Sequence, residues 1–138
     1  MNEALQARGM EEDNMKITSF NPLIATAHSD EVIKTFEALG FERRHTKEGV
    51  EIEDRDNTIV RMKDGNGFYL DVVQDGDLSR DISGIRINVD DFDEAYDLFA
   101  SRGFEQLVEE GAISTSSSKF ILLKSPSGFV INLVKHNR

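Results

Sequence analysis

The chain predicts an α+β fold built from two βαβββ modules in tandem. Three observations point there. First, a hairpin-like segment occurs twice: Thr58–Gln74 (TIVRMKDGNGFYLDVVQ) lies over Lys119–Lys135 (KFILLKSPSGFVINLVK) at a constant offset of 61. Lys63 falls on Lys124, Gly67 on Gly128, Phe68 on Phe129 and Val73 on Val134, and apolar character matches along both flanks. Second, each hairpin is preceded by an apolar strand-like run, then by a helical pattern that ends in Gly-Phe. Third, a chain of 138 residues, 38% hydrophobic, suits one ordinary domain or two small halves sharing a core.

Met1–Asn14 has no partner in the repeat and reads as frayed, within an N-terminal tail (1–15), with a helical turn over Glu3–Gln6. The first module (16–74) opens with the strand Asn21–Ala27 (NPLIATA), where Pro22 suits a strand start or an edge. His28-Ser29-Asp30 offers a helix cap before Val32, Ile33, Phe36 and Leu39, which recur at helical spacing. Gly40 closes that helix. Phe41 to about Glu53 is charged and reads as an exposed edge strand, and the hairpin then turns at Asp64-Gly65-Asn66-Gly67.

A short polar linker (75–81) leads to the second module (82–138). There Ile82–Val89 alternates as a strand, and Asp91 with Glu94 resembles a capping box. Phe92, Ala95, Tyr96 and Phe99 form the buried helical stripe, and Gly103 ends it. Phe104 to about Glu109 is the third strand, Ile113–Ser118 a Ser/Thr-rich loop, and Ser125–Gly128 the hairpin turn. Asp30 and Asp91 lie 61 apart while the Gly-Phe pairs lie 63 apart, so the second helix is expected to be two residues longer.

Composition excludes several classes of function. With no cysteine there are no disulfides, thiolate zinc sites or cysteine nucleophiles. The net charge is −10, and the segment Asp71–Asp97 holds nine acids against Arg80 and Arg86. Such a field disfavours nucleic acid and anionic lipid and favours a cationic ligand. No apolar run approaches a membrane span, and Met1–Met15 lacks the apolar stretch of a secretory signal, so a cytoplasmic location is expected. There is no GxSxG, and Gly65-x-Gly67 sits in a hairpin turn with no helix after it.

Two tandem βαβββ modules resemble the vicinal-oxygen-chelate superfamily, the group of glyoxalase I, bleomycin-resistance proteins and extradiol dioxygenases. The resemblance runs from Ile17 to His136 and rests on Phe36-Glu37-Ala38-Leu39-Gly40-Phe41, Val89-Asp90-Asp91-Phe92-Asp93-Glu94-Ala95 and Ser125-Pro126-Ser127-Gly128-Phe129-Val130-Ile131-Asn132-Leu133. The alternative is another α+β domain with a fortuitous repeat, such as a ferredoxin-like pair. The resemblance implies a curved sheet around a cleft, and in metal-dependent members four ligands from the first and last strands of each half. Those positions fall on Leu23 (or Pro22), Asp71, Gly84 and Asn132. Only Asp71 is a good donor, so no metal and no other cofactor is expected. Restoring His at 23 and 84 and Glu at 132 is expected to create divalent-metal affinity.

If Asp71 and Asn132 face the cleft, strand alternation puts Tyr69, Arg86 and Asn88 there too. The side of Arg61 stays open. His28, His45 and His136 have no ligand spacing and read as surface residues, as does any cation site around Asp71, Asp75 and Asp77. The expected function is a metal-free small-ligand-binding protein of the glyoxalase/bleomycin-resistance type, its ligand unidentified and suited by charge to be cationic. Alternatives are a metal-dependent lyase, isomerase or dioxygenase with unrecognised ligands, and a non-catalytic protein-interaction module. The expected partner is a small molecule, with no nucleic acid and no membrane, and the expected assembly is a homodimer.

Overall fold

A computed structural model describes residues 15–52 and 55–136. The expected turn over Glu3–Gln6 and the end of the edge strand at Glu53 lie outside the described residues. The first half contains β1 (Ile17–Thr26), α1 (Ser29–Ala38), β2 (Glu42–Ile52), β3 (Arg55–Lys63) and β4 (Tyr69–Gln74). The second contains β5 (Ile82–Val89), α2 (Phe92–Ser101), β6 (Glu105–Gln106), β7 (Ile113–Ser114), β8 (Ser118–Lys124) and β9 (Val130–His136). One sheet takes the order β2-β3-β4-β1-β5-β9-β8-β6, with β7 also paired to β8.

Each half begins and ends on parallel neighbours, β1 with β4 and β5 with β9. Parallel pairing needs a long crossover, and a helix supplies the start of each one. The halves meet where β1 and β5 run antiparallel. The charged segment after Phe41 is indeed the edge strand β2, whereas its counterpart is broken into the two-residue strands β6 and β7. Ile113–Ser118 is therefore not wholly a loop, since Ile113 and Ser114 pair with Phe120 and Lys119.

The sequence repeat is at bottom a repeat of one turn. Asp64 Oδ1 accepts from the backbone N–H groups of Asn66 and Phe68, and Gly67 takes a φ of 91°. In the second half Ser125 Oγ accepts from Gly128 and Phe129, and Gly128 takes a φ of 113°. A short polar side chain staples the turn, and glycine accepts the left-handed backbone after it.

The helices correct the expected register. Both are 10 residues long, and their N-caps are His28 and Asp91, 63 apart. Asp91 caps with its side chain, which accepts from the Glu94 N–H at 3.0 Å, whereas His28 makes no side-chain cap bond. First strand and helix are thus displaced by 63 and the hairpins by 61. The missing two residues belong to the broken third strand of the second half, not to its helix.

Alternation divides each strand between two faces. On the outer face Ile33 of α1 packs with Val60, Met62, Leu70 and Val72, and Phe92 and Ala95 of α2 pack with Ile87, Val89, Ile121, Leu123, Ile131 and Leu133. Met15, placed in the tail by sequence, packs on this second cluster. On the inner face Val50 of β2 joins Phe120 of β8 and Val134 of β9. In a flat sheet β2 and β8, six places apart, would stand roughly 29 Å from each other at about 4.8 Å per strand. Their contact shows that the sheet curls strongly into a half-barrel, with the helices outside and a cavity inside. No described helix is long and apolar enough to cross a membrane.

Gly84 of β5 pairs with Val130 of β9, and a Cβ there would meet the Val130 carbonyl oxygen at 2.5 Å. Gly84→Ala should lower unfolding free energy by about 1–3 kcal/mol, the usual cost of overpacking. Gly65→Ala, in open space, should change it by less than about 1 kcal/mol. Urea denaturation of the two variants checks this.

Candidate functional site

The inner face encloses a cavity of about 500 Å³. Its walls come from both halves. Ile59, Arg61 and Tyr69 stand on β3 and β4, Arg86 and Asn88 on β5, and Phe120, Asn132, Val134 and His136 on β8 and β9. Strand β2 adds His45, Lys47 and Val50. Lys47 and Val50 differ in parity, yet both face inward because the β2–β3 register shifts between them, at Gly49 with its φ of 71°.

Asp71 lies beneath this lining, fully buried. Arg86 Nη1 donates to its Oδ2 at 2.9 Å, and Arg61 Nη1 stands 3.9 Å from its Oδ1. Register places all the parties. Arg61 is the cross-strand partner of Asp71, Leu23 its parallel neighbour, and Asn21 the cross-strand partner of Arg86. The buried Asn21 amide binds the cluster together, donating to Pro22 O at 2.8 Å and to Asp71 Oδ2 at 3.4 Å, while its Oδ1 accepts from Arg61 at 3.5 Å.

The two guanidinium groups are held differently. Arg86 is committed along its fork: Nε donates to Asn88 Oδ1 at 2.9 Å, Nη1 to Asp71, and Nη2 lies 3.5 Å from His136 Nε2. Arg61 has only long polar contacts and lies over the Tyr69 ring, 4.2 Å from its centroid. Burial holds the Arg61 pKa below the ordinary value; the Asp71 carboxylate raises it and the Arg86 charge lowers it again. Arginine nevertheless stays charged near neutrality. Loss of solvent and the nearby Arg86 charge likewise hold the His136 imidazole below its usual range, against the opposite pull of the Ser117 backbone. A neutral ring can accept from Arg86. Lys47 Nζ reaches the hydroxyls of Thr115 and Ser117 at 2.9 Å each, bridging the two edges of the half-barrel.

The charge of the cavity is therefore opposite to that of the chain. Among the described residues Lys47, Arg61 and Arg86 line it, no Asp or Glu does, and Asp71 lies beneath. The acidic stretch Asp71–Asp97 contributes no other carboxylate to the lining. Among the described residues the lining thus supplies no carboxylate of its own to hold a cation, and its guanidinium and ammonium groups are donors suited to an anion.

Of the residues read from sequence as cleft-lining, Tyr69, Arg86, Asn88 and Asn132 line the cavity, and Asp71 supports it from below. Gly84 does not line it; it lies by Val130 and Phe129 in a separate shallow depression. With the first strands displaced by 63, Leu23 corresponds to Arg86, and both pair with corresponding last-strand residues, Asp71 and Asn132. The four corresponding positions are Leu23, Asp71, Arg86 and Asn132. They do not fit a divalent ion: Leu23 has no donor atom, Arg86 brings a positive charge, and the one carboxylate, Asp71, is already held by Arg86 and Arg61. Among the described residues no three His, Asp or Glu side chains gather to hold a metal, around Asp75 and Asp77 or elsewhere. Histidine at 84 would strike β9, so the three-residue restoration of a metal site should fail.

Sequence reading missed Asn21, Lys47, His45 and His136. Asn21 had a signal, a lone amide in an apolar strand on the parity of Leu23. The other three depend on the β2 bulge and on the curl, which leave no local mark.

No protein-family model matches the chain, and no curated protein matches it in sequence. Solved structures do match it in fold. Methylmalonyl-CoA epimerase from Mycobacterium tuberculosis superposes with a TM-score of 0.66 at 18% identity, covering 96% of each chain. Another methylmalonyl-CoA epimerase gives 0.60 at 19%, covering 87% of this chain and 95% of its own. A glyoxalase/bleomycin resistance protein/dioxygenase superfamily member from Vibrio splendidus 12B01 gives 0.56 at 15%, covering 87% and 99%. The chain has the vicinal-oxygen-chelate fold that its two-module sequence resembles.

Asp71→Asn removes the charge that both arginines share. Breaking a buried pair from one side should cost about 3 kcal/mol, measured by urea denaturation. Adding Arg86→Met to Asp71→Asn should recover part of that loss, because the uncompensated guanidinium is gone.

Proposed function

We propose that this chain binds small organic carboxylates with an apolar tail, without a resident metal ion. The observation that carries the reading is the pair of guanidinium groups over one buried carboxylate, which leaves surplus positive charge facing a cavity. Guanidinium binds carboxylate through paired N–H donors, and Arg61 has donors to spare. In the same lining Val50, Ile59, Phe120 and Val134 supply apolar surface for a hydrocarbon tail. One protein of the same fold was solved in complex with methylmalonyl-CoA, itself an organic carboxylate.

Two other readings are weaker. A metal-dependent lyase, isomerase or dioxygenase needs donors where Leu23 and Arg86 stand. A protein-interaction module does not need an open cavity of this size.

Isothermal titration with 3-phenylpropanoate and with 3-phenylpropylamine tests the reading. The carboxylate should bind and weaken with added salt, and the amine should not bind. Arg61→Gln should weaken the carboxylate about tenfold or more, the scale of one charge-assisted hydrogen bond. Binding of the amine, or a stoichiometric divalent ion in protein purified without chelator, would overturn it.

A further inference from the structure

We propose that the cavity selects carboxylates bearing a 2-hydroxyl group, read by the side-chain amide of Asn132. The inference rests on the carboxylate-binding reading above and deepens it. It starts from an imbalance among the polar groups of the cavity. Asn21, Asn88 and Asp71 are each engaged with an arginine. Asn132 is not. The residue lines the cavity, and its Oδ1 is turned inward, buried and without a hydrogen-bond partner, so the amide can turn toward the cavity without breaking a bond. Buried amide oxygens are normally paired, so an orphan beside a binding cavity marks a place where a ligand donor belongs.

Its position says which ligand atom would come there. Asn132 is the parallel neighbour of Arg86, side by side on the inner face at the strand spacing of about 4.8 Å. A carboxylate on the spare donors of Arg61, beside the fixed Arg86 plane, would turn its next carbon, and the substituent on that carbon, toward the Asn132 amide of the same lining. The amide offers one donor and one acceptor together, and turning it over exchanges them without changing the pair. A hydroxyl complements both, because it donates and accepts. An ammonium at the same carbon would only donate, and it would meet the repulsion of two guanidinium charges. An unsubstituted carbon would leave the orphan unpaired. The apolar tail then continues toward Phe120 and Val134.

Three matched ligands decide the matter by titration calorimetry: 3-phenyllactate, 3-phenylpropanoate and phenylalanine. The proposal expects 3-phenyllactate to bind about tenfold tighter than 3-phenylpropanoate, as one added hydrogen bond to a buried orphan allows, and phenylalanine to bind weakest. Asn132→Leu should bring the ratio of the first two ligands to about one, and Asn132→Ala serves if the leucine variant does not fold. Equal affinities in the unaltered protein, or a preference that survives in the variants, would overturn the inference while leaving carboxylate binding intact. Failure of all three ligands to bind would overturn both.

Discussion

Asp71 is buried under two arginines, and one carboxylate cannot neutralise both. Much else in the cavity depends on that imbalance. The carboxylate makes it tolerable to bring guanidinium groups inside a curled sheet, and the uncancelled charge faces the enclosed space. Arg86 is fixed from three sides, so it sets a rigid plane, while Arg61 lies on Tyr69 with long polar contacts and donors in reserve. The arrangement is a consequence of strand register. Asp71 meets Arg61 across β3–β4, and Arg86 meets Asn21 across β1–β5. A slip of one residue in either pairing would turn an arginine onto the apolar helix side, so the buried ion cluster and the two helix-side cores favour the same register.

The overall charge of −10 gives the wrong sign for the cavity because charge acts locally. At physiological ionic strength exposed charges are screened within about 8 Å. Most acids between Asp71 and Asp97 stand on the linker and at α2, outside the cavity lining. The three cations of the lining are spread through the sequence as Lys47, Arg61 and Arg86, with no basic cluster to notice. Only folding collects them.

The fold itself was legible because its cause is local and occurs twice. Asp64 and Ser125 staple equivalent turns, and the alternation of the strands and the spacing of the helices separate inner face from outer face in both halves. The features that escaped are set by contacts between distant elements. The displacement of 63 in the first strand and helix was hidden by the coincidence that Asp30 and Asp91 lie 61 apart, although the actual caps are His28 and Asp91. That coincidence paired Leu23 with Gly84 and obscured the correspondence between Leu23 and Arg86. Lys47 and Val50 enter through a bulge, and His45 and His136 through the curl, and neither can be read from a single strand.

An acidic chain thus folds a positive cavity around one buried carboxylate. The sharpest probe of that charge is the pKa of a carboxyl group placed inside it, read by carbon-13 NMR of bound, carboxyl-labelled 3-phenylpropanoate during a pH titration. Two guanidinium neighbours stabilise the ionised form, so the bound pKa should lie below that of the free acid. A bound pKa equal to or above the free value would mean that burial or the chain's net negative charge dominates, and would contradict a positive cavity.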